Sequence, residues 1–226
     1  MWAIIKKKIK SYFLSPMGYV FIGLFLAMYS VFFYLTAISQ GLTNFEYIFY
    51  YAAQSLTFIT PILTMRMFAE VRKNGTEQLI LTSPRSMVGV TLGKFLAAVI
   101  VVIITELFTF AYFAILCFFK VPSLSTTFTT LFGFLLLSMA YIAFGMFASS
   151  ITENQIVAGV LTIGAFIIMW FVPDMNSSLS MLGLLDKFYP FATGVIPVAE
   201  TVALVSFTVV FIIFTIMVMQ RRKLVK

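Results

Sequence analysis

The sequence predicts an all-α, polytopic membrane protein with six transmembrane helices, and three observations lead to that prediction. Hydrophobic residues make up 62% of the 226 positions and charged residues only 10%, whereas soluble domains are about half apolar and about a quarter charged. Long apolar runs alternate with short polar stretches, and a spanning helix needs about 20 mostly apolar residues. The basic residues are concentrated in a few of the polar stretches. A single transmembrane domain over residues 1–226 accounts for all three observations.

The elements follow in chain order from hydropathy and helix breakers. Residues 1–16 mix four lysines with apolar side chains, which predicts an interfacial helix at an anionic membrane surface. Pro61 is expected to kink the second span. Residues 173–198 contain prolines and charges and are too broken to span, so we expect re-entrant outer pieces at 179–185 and 188–195. The six spans are predicted at about 17–38, 47–67, 95–119, 128–149, 155–172 and 199–219.

Basic residues fall almost entirely on one side of this topology. Thirteen lysines and arginines lie in the N-terminal segment, the loop of residues 66–94 and the C-terminus, against Lys120 and Lys187 on the other side. By the positive-inside rule, both termini and that loop are expected in the cytoplasm. The net charge of +7 therefore reports membrane topology, and no nucleic-acid partner is expected.

The loop of residues 66–94 is the only long polar interruption in the chain. It holds five basic and two acidic residues, which hydrocarbon would not tolerate, so a water-facing loop is predicted. Thr76 can cap a short helix and Pro84 would end it. With Leu79 and Ile80 beside polar neighbours, this helix would be amphipathic and suited to a membrane surface or a partner's groove. The plainer alternative is a solvated connection between two spans.

This loop also carries a pattern of residues that is known from a protein family. The pattern consists of Phe68, Glu70, Arg72, Gly75, Thr76, Glu77, Leu79, Leu81, Thr82, Ser83, Pro84 and the run Gly93-Lys94-Phe95. It resembles the segment after the second membrane helix of ABC-2-type permeases, and most of all the gliding-motility auxiliary permease. In that family the segment is a coupling helix that docks on an ATP-binding cassette subunit. The resemblance implies ATPase coupling through Glu70, Arg72, Gly75, Thr76, Glu77, Leu79, Leu81, Thr82, Ser83 and Pro84.

The resemblance also implies how the work is divided between subunits. ATP and Mg would be bound by partner ABC ATPase subunits, and this chain would need no cofactor. A second copy or a homologous permease would complete the path, with helices two and five lining it, in the cytoplasmic membrane of a bacterium. The predicted function is therefore that of an exporter subunit, and two alternative functions remain. One is a non-transporting subunit that transmits ATPase motion to an outer-face machine such as a motility system, and the other is a passive channel.

The sequence offers little for an enzyme to use. It has no G-x-x-x-x-G-K-[ST] phosphate loop, no histidine and a single cysteine, Cys117. We find no paired carboxylates, no nucleophile with a base and no metal-ligand set in it. No catalytic or metal-binding residue is therefore predicted, and ATP hydrolysis is expected in a separate chain.

One acidic residue, Glu106, is predicted near the middle of the membrane. It lies about eleven residues into the third span, at about 1.5 Å per residue, and a charge there costs about 2.5 to 3.5 kcal/mol on insertion scales. Gln54, Ser55 and Thr57 of the antiparallel second span lie at comparable depth and are plausible hydrogen-bond partners. Glu106 would then serve either as a structural polar clamp or in a substrate path or gate.

Two small residues on the fourth span suggest close helix packing. Gly145 and Ser149 lie four residues apart and form a small-xxx-small pair, which lets a neighbouring backbone approach. Internal packing and dimerisation both fit this pattern.

Overall fold

A computed structural model describes residues 2–14, 16–39, 45–75, 86–118, 123–175 and 183–225. Within these ranges the secondary structure is helical and contains no strand, which confirms the all-α prediction. A π-helical turn, Tyr34–Ile38, continues the second helix. The helices are α1 (Trp2–Leu14), α2 (Pro16–Phe33), α3 (Phe45–Thr64), α4 (Ala69–Lys73), α5 (Met87–Cys117), α6 (Leu124–Ile151), α7 (Gln155–Met175), α8 (Leu184–Ala192) and α9 (Val198–Val225).

Several of these helices are long and apolar enough to cross a membrane. Among the described residues there are five such segments: Pro16–Ile38, Tyr47–Lys73, Met87–Cys117, Leu124–Ile151 and Val198–Arg222. The apolar part of α7, Gln155–Phe171, is shorter. The protein is therefore a polytopic membrane protein, and the sixth span stays a prediction.

Helix α6 lies at the centre of the molecule. It packs against α3, α5, α7, α8 and α9, and the four successive residues from Ala140 to Ala143, which point to all sides of the helix, are buried. Its Phe134 ring lies 5.5 Å from the Phe25 ring and 5.1 Å from the Phe49 ring. A helix that is apolar all round lies in a protein core or in lipid, and other helices cover most of this one. Movement of α6 would therefore reach most of the bundle.

Helix α8 lies against the first half of α6. Its Phe188 ring contacts Phe134 with 6.2 Å between centroids, and Phe191 sits directly over Gly133, where an added Cβ would lie 2.4 Å from the ring. A glycine is needed at this crossing because any side chain would collide with Phe191. Of the two predicted re-entrant pieces, 179–185 lies mostly outside the described residues, and α8 covers much of 188–195.

Helix α1 packs on α5 and α2. Tyr12 is buried, and the backbone of α1 passes so close to Gly18 that an added Cβ there would lie 2.8 Å from the Tyr12 carbonyl oxygen. The predicted helix over 1–16 is thus present as Trp2–Leu14. The prediction placed this helix on the membrane surface. The structure shows that other helices of the protein also cover part of it.

The third span begins earlier than the sequence indicated. The prediction placed its start at Phe95, but α5 begins at Met87, eight residues before it. The Ser86 side chain accepts a hydrogen bond from the Gly89 amide (3.2 Å) and caps the helix. The last eight residues of the predicted loop, 87–94, therefore belong to α5. Lys94 was expected to face water, but it is buried among protein atoms.

Candidate functional site

The predicted coupling residues fall into two groups. Glu70, Arg72 and Gly75 belong to α4 and the turn after it, and the structure describes them. The predicted coupling helix itself lies outside the described residues, together with Thr76, Glu77, Leu79, Leu81, Thr82, Ser83 and Pro84. The candidate site is therefore the base of the predicted coupling loop. It comprises α4, the turn between α3 and α4, and the residues that hold them.

Ser149 of α6 fixes the turn into α4. Its hydroxyl accepts hydrogen bonds from the backbone amides of Phe68 (3.0 Å) and Ala69 (3.1 Å) and donates one to the Met65 carbonyl (2.9 Å). The first amides of a helix have no partner within it, so Ser149 does for α4 what a capping side chain normally does from the helix's own sequence. Because Ser149 is fully buried, water does not compete for these bonds.

Gly145, one turn before Ser149, brings α3 against α6. A Cβ on Gly145 would lie 2.3 Å from the Thr64 hydroxyl oxygen and 2.9 Å from its Cβ. Both members of the small-xxx-small pair therefore make contacts inside the chain. The pair therefore serves packing within the chain, which is one of the two predicted interpretations.

Arginine side chains bind the carboxyl end of α6. Arg72 donates to the carbonyls of Ser150 (2.6 Å) and Ile151 (3.2 Å), and Arg222 of α9 donates to the Ile151 carbonyl (3.2 Å). The last carbonyls of a helix lack partners within it and carry the negative end of its dipole. Arg72 and Arg222 thus join α4 and α9 to the same helix end.

Lys94 of α5 reaches the turn from the other side. Its ammonium group donates to the Met67 carbonyl (2.6 Å) and lies 3.8 Å from the centroid of the Phe68 ring. The side chain is only 5% exposed, so the carbonyl and the ring replace part of the water that a lysine normally keeps. Lys94 therefore ties α5 to the turn that Ser149 holds on α6.

Glu70 faces the amphipathic helix α1. Its charge acts on both Lys8 and Tyr12 of α1, and the Lys8 ammonium lies 5.2 Å from the centroid of the Tyr12 ring. Burial lowers the pKa of Lys8 below its usual range, and Glu70 opposes part of that shift. Helix α4 ends at Lys73. Gly75, two residues later, has a φ of +68°, which suits glycine, and its amide donates to the Arg72 carbonyl (2.9 Å).

Glu106 is buried, as predicted for a mid-membrane carboxyl, but the structure does not join it to its predicted partners. Its Oε1 atom has no hydrogen-bond partner among the described residues. Ser55 donates to Ala52 of its own helix (2.6 Å), Gln54 lies beside Tyr50, and Thr57 lies beside the Tyr141 hydroxyl. The reason is that α3 packs more extensively on α6 than on α5. The clamp between Glu106 and the second span is therefore not formed.

Comparison with known proteins identifies the family. A family model described as ABC-2 family transporter protein matches residues 2–193, which is most of the chain. The chain belongs to the ABC-2 transporter family. No curated protein matches it at the significance required. As a member of this family, the protein is a membrane permease component of an ABC system, and such permeases associate with ABC ATPase subunits.

Sequence reasoning missed three residues at the base of the permease's loop. Lys94 was assigned to the loop, Ser149 was noted only for its small size, and Arg222 was counted only as a topogenic charge. The partners of all three lie far away in the sequence, so no local pattern reveals the contacts. The sequence indicates only that Lys94 is next to a helix, because it stands directly before the apolar run that begins at Phe95.

Proposed function

We propose that this permease is the membrane subunit of an ATP-driven exporter, forms half of its translocation path, and couples to a separate ATPase through residues 75–84. Two chains, identical or homologous, would enclose the path above two ATPase subunits that bind ATP and Mg. Family membership supports the transport role. The observation that carries the coupling role is that the base of this loop is bound directly to the central helix α6.

The base of the loop is suited to transmitting force. Two side chains, Ser149 and Arg72, make five hydrogen bonds between the α3–α4 region and the end of α6. Hydrogen bonds have preferred distances and angles, and a buried group that loses its partner costs about 1 to 3 kcal/mol. A push from an ATPase on residues 75–84 would therefore move α4 and α6 together as a rigid unit.

The proposed topology has six spans with both termini in the cytoplasm of a bacterium. Helix α7 has 21 residues and is about 31 Å long at about 1.5 Å per residue, close to the roughly 30 Å of a bilayer core. Helix α8 has nine residues and cannot span, but its contacts with Gly133 and Phe134 support a re-entrant position. We propose that α3 and α7, the second and fifth spans, line the path.

Co-purification tests the coupling role. The tagged chain is extracted from its native membranes in mild detergent, and the proteins that accompany it are identified by mass spectrometry. We expect an ABC ATPase with the wild type, and its loss in Leu79→Asp or Glu77→Lys variants that remain monodisperse. Ile156→Asn, at an exposed position near the same membrane face, is the matched control and should retain the ATPase.

Two other outcomes would point elsewhere. Recovery of no ATPase with a monodisperse wild-type chain contradicts the coupling role and favours a channel. A complex that hydrolyses ATP without moving any solute in proteoliposomes favours the non-transporting subunit that drives an outer-face machine, to which the likeness to gliding-motility permeases points.

A further inference from the structure

A groove of about 510 Å³ runs along one face of α9. Met169 of α7 and Lys187 of α8 form its other side, and its α9 side consists of seven residues on one helix face between Ala199 and Phe211. Both α7 and α9 pack on α6, which leaves the cleft between them open on its outer side. Most of the lining side chains are apolar, so water is a poor occupant.

Packed aromatic rings form the bottom of the groove, and its length matches the thickness of one membrane leaflet. Phe207 and Phe211 contact each other (4.5 Å between centroids) and both pack on Phe144 of α6 (6.5 and 5.0 Å). From Glu200 to Phe211 the helix advances by about 16 Å at about 1.5 Å per residue. Half of a bilayer's hydrocarbon core is about 15 Å thick. The groove therefore matches an acyl chain that extends from the headgroup level to the bilayer centre.

The charges of the groove lie at one end. Lys187 of α8 and Glu200 in the first turn of α9 are its charged lining residues, and neither forms an ion pair with another described residue. A cation and an anion at one mouth complement a headgroup that carries both signs. An anionic headgroup would meet attraction at Lys187 and repulsion at Glu200.

We propose that this groove binds one acyl chain of a zwitterionic phospholipid, with the lipid phosphate at Lys187 and its ammonium group at Glu200. The lipid fills the cleft between α7 and α9 and thereby joins two helices that both pack on Phe144 of α6. The site does not depend on the coupling role of residues 75–84. Only its assignment to the outer leaflet rests on the orientation proposed above.

Native mass spectrometry of the full chain in detergent tests the site. The probes are phosphatidylethanolamine and phosphatidylglycerol with identical acyl chains, titrated against delipidated protein. We expect one phosphatidylethanolamine per chain, bound about tenfold more tightly than phosphatidylglycerol, which corresponds to about 1.4 kcal/mol. Ala203→Trp fills the groove and should weaken this binding at least about tenfold. Val202→Trp, on the neighbouring exposed position outside the groove, should leave it unchanged.

Charge variants keep the test decisive if the tryptophan variant fails to fold. Lys187→Gln should weaken phosphatidylethanolamine binding about two- to fivefold, the range of an exposed charge pair. Glu200→Gln should bring phosphatidylglycerol to equal or tighter binding, because the repulsion is removed. Equal binding of both lipids by every variant would overturn the proposal and indicate nonspecific lipid. A change from dimer to monomer in Ala203→Trp with unchanged lipid binding would also overturn it and assign the groove to a second copy.

Discussion

The two ends of α6 are held by different kinds of contact. At its carboxyl end, Ser149 and the carbonyls of Ser150 and Ile151 form hydrogen bonds with α4, the turn before it and α9. In its first half, Gly133 and Phe134 meet the rings of α8, and a long hydrogen bond runs from the Thr130 hydroxyl to the Phe191 carbonyl of α8 (3.4 Å). Ring contacts are non-directional, whereas hydrogen bonds have preferred distances and angles and leave a buried group unpaired when they break. The hydrogen-bonded end is therefore better suited to transmit motion between α4 and α6.

The largest expected effects come from closing either helix crossing with a methyl group. Gly145→Ala places a Cβ 2.3 Å from Thr64, and Gly133→Ala places one 2.4 Å from Phe191. Overpacking of this kind costs about 1 to 3 kcal/mol, so thermal unfolding in detergent should shift downward by several degrees. Gly164→Ala, where an added Cβ meets no atom within 4 Å, should instead stabilise by about 0.5 to 1 kcal/mol. Equal effects at all three glycines would contradict the close crossings.

Ser149→Ala should destabilise the carboxyl end of α6 without affecting its first half. The substitution leaves the amides of Phe68 and Ala69 without their partner, at a cost of about 1 to 3 kcal/mol. Hydrogen exchange measured by mass spectrometry should rise in the peptide that carries these amides and stay unchanged in α8. Ser150→Ala is the matched control, because the Ser150 hydroxyl bonds Phe147 within its own helix (2.7 Å). Unchanged exchange in the Ser149 variant would refute the capping role.

Glu106 offers a contrast with the fully bonded base of the loop. Since Glu106 Oε1 has no partner among the described residues, Glu106→Gln removes no hydrogen bond at this atom and should not lower the unfolding free energy. A decrease of more than about 1 kcal/mol in the unfolding free energy would support the structural clamp instead. A stable Glu106→Gln protein that assembles with its ATPase but no longer transports would place Glu106 in the substrate path.

The smallest expected effect is a pH dependence at α1. Burial lowers the folded-state pKa of Lys8 below its unfolded value near 10.5, so the unfolded chain binds more protons between these two values and stability rises with pH there. Between neutral pH and about pH 9.5, below the usual range of tyrosine ionisation, the unfolding temperature should increase slightly in the wild type. Lys8→Met should remove this slope. An identical slope in the variant would assign it to other groups.

Hydropathy predicted the helical class and the five long apolar segments among the described residues, because the membrane imposes these features locally. The sixth span and the side that carries the basic residues stay predictions. The start of α5 was misplaced because Lys94 looks solvated in sequence and is in fact bonded to Met67. The partners of Glu106 were wrong because depth in the membrane does not determine which helices face each other. The role of Ser149 required knowing that α6 ends beside the α3–α4 turn, a tertiary fact with no local signal.

The central claim is that the base of the loop transmits ATPase motion to α6, and one comparison tests it most directly. ATP hydrolysis by the purified complex in nanodiscs is measured for the wild type, Arg72→Gln and Lys73→Gln. Arg72 bonds the end of α6, whereas Lys73 is exposed beside it. We predict that all three complexes assemble and that only Arg72→Gln changes the hydrolysis rate, by several-fold. Indistinguishable rates for Arg72→Gln and Lys73→Gln would contradict the claim.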